Sequence, residues 1–132
     1  MTQRYPILFV GAGPGDPELI TVKGQRALAQ ADLILYTGSL IPPALLEHAR
    51  PEAARLDTAS LDLEAIVQHL LTGYQAGKRV VRLHTGDPSL YSAIQEQISL
   101  LRQARVPYQV IPGVTAAAAA AATLGQELTL PG

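Results

Sequence analysis

Short runs of β-branched and apolar residues alternate along this chain with longer segments of helical period. That alternation restricts the fold to βαβ units on a parallel sheet. Four runs read as strands, Ile7 to Val10, Leu33 to Tyr36, Val80 to His84 and Tyr108 to Ile111, and the less apolar Ala54 to Leu56 reads as a fifth. Between them, Leu63, Ile66, Val67, Leu70, Leu71 and Tyr74 recur at the offsets of one helical face. Asp62 stands where it can cap that helix and Gly77 where it can end it. Thr21 can cap an earlier helix reaching Ala31. A third helix runs from about Tyr91 to Ala104, with Tyr91, Ile94, Ile98 and Leu101 on one side. The expectation is an α/β domain: a mostly parallel sheet of about five strands flanked by helices.

Composition narrows the chemistry. With 132 residues, 48% of them apolar, the chain can build one core. Ten basic against eleven acidic residues leave a net charge of −1, without the basic excess of a protein that neutralises many phosphates, so nucleic acid is not expected as a partner. The absence of cysteine removes disulfides, thiolate zinc sites and cysteine nucleophiles. His48, His69 and His84 have no metal-ligand spacing, so no metal site is expected. No catalytic triad or carboxylate pair can be argued from spacing, and a catalytic residue cannot be assigned. The amino terminus lacks the layout of a secretory signal, and Val114 to Leu124 is shorter than the about 20 residues of a membrane span. A cytoplasmic protein without a membrane role is expected.

Seven consecutive alanines, Ala116 to Ala122, form a helix-favouring run closed by Gly125. The expectation is a helix packed tightly on the sheet, whose start can also present bare backbone to a ligand. The sequence stops at Leu130-Pro131-Gly132, where another strand or linker would begin, and a continuation is expected.

Ligands of open parallel sheets bind at the carboxyl ends of the strands, so the loops that follow the strands matter most. The first is Gly11-Ala12-Gly13-Pro14-Gly15-Asp16. It is not a dinucleotide fingerprint: the third glycine comes one place early, and no carboxylate ends the second strand at Tyr36-Thr37-Gly38. Lys23-Gly24 is likewise not the Gly-Lys-Ser/Thr of a phosphate loop. The second loop, His84-Thr85-Gly86-Asp87-Pro88-Ser89-Leu90-Tyr91, enters a helix that Ser89 can cap. Asp87 can cap the turn or accept hydrogen bonds from a ligand. In the third, Pro112-Gly113-Val114-Thr115-Ala116, Thr115 is a helix cap. Each loop also reads as a structural turn; three glycine turns at one sheet edge favour a cofactor cleft.

Taken together, GAGPGDPELITVKG from Gly11 to Gly24, HTGDPSLY from His84 to Tyr91 and PGVTA from Pro112 to Ala116 resemble the tetrapyrrole methyltransferases that use S-adenosylmethionine. The resemblance runs from Ile7 to Pro131. The segments Tyr36 to Leu40, Asp57 to Leu61, Arg82 to Tyr91 and Gly125 to Pro131 most resemble the branch that acts at C11 of precorrin-4 or cobalt-precorrin-4 in cobalamin biosynthesis. In the branch that methylates uroporphyrinogen the residue after the strand-ending tyrosine is typically acidic; here it is Thr37.

The resemblance implies that residues 1–132 are the amino-terminal domain of a two-domain fold that binds its cofactor between the domains. It implies S-adenosyl-L-methionine as cofactor, S-adenosyl-L-homocysteine as product, a tetrapyrrole substrate and a homodimer. Carried over by motif, Pro14, Thr85, Gly86, Asp87, Leu90, Thr115 and Ala116 would contact the cofactor. Tyr36, Ser39, Arg82 and His84 are candidates for the substrate-facing rim, where Arg82 would meet a substrate carboxylate or form an ordinary surface ion pair. Alternatives are another precorrin or uroporphyrinogen methyltransferase, a nucleotide-binding oxidoreductase, and a non-enzymatic interaction domain docking through the alanine helix.

Overall fold

The computed structural model describes residues 3–90 and 92–129. Tyr91, the expected helix start, and the terminal Leu130 to Gly132 lie outside the described residues. Five strands, β1 (Ile7–Gly11), β2 (Leu33–Tyr36), β3 (Ala54–Asp57), β4 (Val80–His84) and β5 (Tyr108–Ile111), form one sheet in the order β3-β2-β4-β1-β5. Every pairing is parallel. The connections carry α1 (Val22–Gln30), α2 (Pro43–Leu46), α3 (Leu63–Gln75) and α4 (Ile94–Gln103), and α5 (Ala116–Leu124) follows β5.

Alternation along the strands sorts the core onto two faces. Val10, Ile34, Val81, Leu83 and Ile111 pack with Ala27 and Leu28 of α1 and Leu45 of α2. Ile7, Phe9, Leu35 and Val80 pack with Ile66, Val67 and Leu70 of α3 and Ile98 and Leu101 of α4. Both faces of the three central strands β2, β4 and β1 are covered, which is why these read as continuous apolar runs, whereas the edge strands β3 and β5 are largely exposed. Local caps fix three helix starts: Thr21 Oγ1 accepts from Gly24 N–H at 2.9 Å, Asp62 Oδ1 from Ala65 N–H at 2.8 Å, and Thr115 Oγ1 from Ala118 N–H at 3.1 Å.

Two expectations need correction. Ser89 does not cap a helix, because α4 begins only at Ile94 and its N-cap position is Ala93, at φ 51° with no side-chain cap. Nor is α5 packed tightly on the sheet: of its alanines only Ala121 is buried, and most are exposed. Small side chains permit close approach but bury too little apolar area to enforce it. The expected Gly125 closure holds, at φ 65°.

The topology positions the site. From β2 the chain moves outward to β3 through α2 on one face, whereas from β4 it passes to the far side of β1 through α4 on the other. The neighbours β2 and β4 therefore send their connections in opposite directions, which opens a crevice at their carboxyl ends. Among the described residues no helix is long and apolar enough to cross a membrane.

Candidate functional site

The loops after β1, β4 and β5 interlock through their backbones. Gly13 N–H donates to Gly86 O at 3.2 Å and Gly86 N–H returns to Gly13 O at 2.8 Å, an isolated antiparallel bridge between two loops. Ala12 N–H donates to His84 O at 2.6 Å. The approach leaves no room for side chains. A Cβ on Gly113 would stand 2.2 Å from Gly86 O and 2.9 Å from Gly11 Cα, and one on Gly11 would stand 2.6 Å from Gly86 O.

These bonds decide what the glycine loop can bind. A phosphate cradle needs free N–H groups and an open helix N-terminus. Here the N–H groups of Ala12 and Gly13 are spent on the neighbouring loop. The turn that follows is a 3-10 helix, Pro17–Leu19, whose start is occupied by the Asp16 carboxylate accepting from Glu18 N–H at 2.9 Å. An anion would meet that carboxylate, so the loop is unsuited to a dinucleotide pyrophosphate.

Beside the interlock lies a concavity of about 270 Å³, lined by Pro14, Thr85, Gly86, Asp87, Leu90, Thr115, Ala116 and Ala117. All seven residues that the sequence motifs single out as cofactor contacts meet there; Ala117 is the addition. Asp87 holds its own turn, its Oδ1 accepting from Ser89 N–H at 3.3 Å and its carbonyl from Leu90 N–H at 3.0 Å. The lining offers a carboxylate, two threonines and apolar surface, with no Lys or Arg. That donor set suits a ligand with hydroxyl or ammonium groups and an apolar body.

A second concavity, of about 140 Å³, occupies the crevice between β2 and β4 and is lined by Thr37, Leu40, Ile41, Arg82, Leu83, His84, Thr85 and Ser92. Thr85 lines both hollows, so occupants of the two would be neighbours. Arg82 and His84, both expected at a substrate-facing rim, lie at the floor of this crevice: they are 5% and 8% exposed, on the side of β4 that faces α4. Arg82 Nε donates to Gln97 Oε1 at 3.3 Å, while its buried Nη1 has no partner among the described residues. No carboxylate pairs with Arg82 among the described residues, whose one ion pair is Arg50–Asp32. Burial lowers the guanidinium to about 10, which still leaves it charged at neutral pH. His84 stacks on Phe9, with ring centroids 6.0 Å apart. Burial, and then the Arg82 charge, push His84 down to about 3, so its ring is neutral; its Nε2 is buried without a partner.

Of the other expected rim residues, Tyr36 is partly buried and Ser39 is exposed, and neither lines the crevice. Tyr36 contributes its carbonyl, which accepts from Thr58 N–H at 2.7 Å. Asp57 pins the loop after β2: its Oδ1 accepts from Gly38 N–H and Ala59 N–H, both at 2.9 Å, which holds this carboxyl below its usual range. Thr37, Leu40, Ile41, Ser92 and Gln97 were not anticipated. The available signal for Gln97 was its place three residues after Ile94, a polar side chain on the apolar face of α4. A further hollow of about 280 Å³ lies at the amino ends of the strands, around Tyr5, Gln30, Arg79 and Gln109, away from every motif residue.

The sheet, the interlocked glycine loops and the paired hollows at one edge make an α/β unit whose concavities lie at the carboxyl ends of its strands. The profile of the Tetrapyrrole (Corrin/Porphyrin) Methylases matches residues 6–132, and the chain belongs to that family. It is 58% identical over 125 residues to the precorrin-4 C(11)-methyltransferase of Pseudomonas aeruginosa, covering 95% of this chain and 50% of that protein. A solved cobalt precorrin-4 methyltransferase, described as a cobalamin biosynthetic enzyme, superposes with TM-score 0.92 at 48% identity, covering 96% of this chain and 53% of that one. The uroporphyrin-III C-methyl transferase of Thermus thermophilus, solved in complex with S-adenosyl homocysteine, gives TM-score 0.79 at 36% identity, covering 97% and 51%. The chain spans about half the length of the curated relatives it matches.

Two measurements check this geometry. Gly113→Ala should destabilise the protein by about 1–3 kcal/mol in urea unfolding, because its methyl group meets backbone; Gly125→Ala meets no atom within 4 Å and pays only for its positive φ. The second concerns pH. Unfolded His84 takes its proton near pH 6.5 and folded His84 only near 3, so the unfolded state binds more protons between those values and stability falls as pH falls through them. Between pH 7 and pH 5 the protein should lose roughly 2 kcal/mol that a His84→Leu variant retains.

Proposed function

We propose that this chain supplies the cofactor wall of an S-adenosyl-L-methionine-dependent methyltransferase acting at C11 of precorrin-4 or cobalt-precorrin-4 in cobalamin biosynthesis. The observation that carries the reading is the convergence of Pro14, Thr85, Gly86, Asp87, Leu90, Thr115 and Ala116 on one hollow, in a chain of this family. The high identity to the precorrin-4 enzyme of Pseudomonas aeruginosa supports the choice of substrate.

When bound, S-adenosyl-L-methionine supplies an electrophilic methyl group, and S-adenosyl-L-homocysteine is the product. The chain's own residues bind and orient. The Asp87 carboxylate accepts hydrogen bonds from hydroxyl or ammonium groups, Thr85 and Thr115 add hydroxyls, and Pro14, Leu90 and Ala116 exclude water from the apolar part. Methyl transfer requires donor and acceptor in line and in contact. Two hollows that share Thr85 support that arrangement, with the crevice between β2 and β4 on the acceptor side.

A volume of about 270 Å³ falls just below the roughly 300–1,000 Å³ of complete small-molecule sites, as one wall of a cleft would. The exposed face of α5 and the exposed Leu124 and Leu128, at 70% and 67%, support the same view. In this reading residues 1–132 act as the amino-terminal domain, the opposite wall comes from the half of the relatives' length that this chain does not span, and the working enzyme is a homodimer.

The test uses the intact product of the reading frame that encodes this sequence. With S-adenosyl-L-methionine and precorrin-4 or its cobalt form, the product should gain one methyl group, placed at C11 by mass and NMR. Asp87→Asn should raise the Kd for S-adenosyl-L-homocysteine about 10- to 100-fold, the loss of a hydrogen bond to a charged group. Methylation at another ring position, or an unchanged Kd, would overturn the assignment.

A further inference from the structure

Strand β4 carries a charge where its neighbours on the same face are apolar. Val80, Phe9 and Leu35 belong to the core on the α4 side, and Arg82 lies in register with Leu35 on β2 and Phe9 on β1. The residue is 5% exposed, yet the one side-chain partner of its guanidinium among the described residues is a neutral amide, at 3.3 Å. A cation whose purpose is to fasten a core normally meets a carboxylate there, because only an opposite charge compensates the loss of water. Arg82 has none among the described residues, and Nη1 is left without an acceptor. Two positions on, His84 faces the same side with an unpartnered Nε2.

Both residues line the crevice at the diverging ends of β2 and β4, together with Thr37, Thr85 and Ser92. The lining contains no acidic residue. Its chemistry is therefore a positive charge at the floor, a neutral imidazole beside it and hydroxyls around the mouth, of which Thr37 Oγ1 also bonds Thr58 Oγ1 and Ser92 Oγ donates to Leu90 O. The planar guanidinium matches a carboxylate in geometry as well as in charge.

We propose that Arg82, flanked by His84 and the hydroxyls of Thr37 and Ser92, forms a carboxylate-binding site at the floor of the β2–β4 crevice that anchors an acidic side chain of the substrate. The inference rests on the methyltransferase reading for the identity of that acid, an acetate or propionate arm of the tetrapyrrole. The anchor fixes the macrocycle next to the cofactor hollow through their common wall, Thr85. Arg82 thus sets substrate register without touching the methyl group.

The experiment takes the intact gene product as wild type, Arg82→Lys and Arg82→Met, and titrates each with uroporphyrin III, a stable polycarboxylated tetrapyrrole, by fluorescence. The same preparations are titrated with S-adenosyl-L-homocysteine, whose hollow excludes Arg82, as a report on correct folding. The Nε–Hε NMR resonance of Arg82 is followed as uroporphyrin III is added. Arg82→Met should weaken uroporphyrin III at least about tenfold and Arg82→Lys by less, with S-adenosyl-L-homocysteine within about twofold throughout and the Arg82 resonance shifting on titration. Equal uroporphyrin III affinity in Arg82→Met and wild type, or no binding to wild type, overturns the anchor. If S-adenosyl-L-homocysteine binds normally in that case, the methyltransferase reading stands; if it fails to bind wild type, that reading falls as well.

Discussion

The backbone contact between Gly13 and Gly86, with Gly11 and Gly113 pressed against it, is the constraint on which the carboxyl edge of this sheet depends. It ties together the loops of β1, β4 and β5, three neighbouring strands whose pairing alone would leave their ends free. It also consumes the amide N–H groups that a phosphate would need, and so removes one class of ligand before any side chain is considered. What remains for recognition is a rim of side chains, Thr85, Asp87 and Thr115, around an apolar hollow.

A second constraint comes from the order of the strands. Because β2 and β4 are neighbours whose connections leave in opposite directions, the edge opens beside the interlock. The two hollows differ in chemistry: one offers acceptors and apolar surface, the other a buried cation and donors. They share one wall, at Thr85. A buried guanidinium nitrogen without a partner among the described residues is costly, which sets Arg82 apart from the apolar core around it.

Features set by local chemistry were legible in the sequence. The central strands show as apolar runs because both of their faces are covered, and Thr21, Asp62 and Thr115 show as caps because capping acts within three residues. Seven of the eight residues that line the hollow beside the interlock were reached through family motifs, not through spacing. Features set by distant partners were not legible. Strand order, and with it the crevice, depends on pairing between remote segments. The depth of Arg82 was not legible, since a charged side chain in a strand gives no sign of being roofed by Gln97 of α4. The short helix Pro43–Leu46 and the 3-10 turn Pro17–Leu19 are too brief to leave a period. The alanine run predicted a helix correctly, but alanine does not say which surface it meets, and α5 lies mostly exposed.

The match to the solved cobalt precorrin-4 methyltransferase takes in 96% of this chain yet only 53% of that structure, so the hollow at the carboxyl edge carries the main burden of the functional reading. The most direct test is a chemical-shift map of the isotopically labelled intact product as S-adenosyl-L-homocysteine is added. Within this chain, the largest changes should fall at Gly86, Asp87, Thr115, Ala116 and Ala117, with Ala27, Gln30 and Gln109 at the opposite end of the strands unmoved. Changes centred on that amino-end hollow, or none along the carboxyl edge, would contradict the placement of the cofactor.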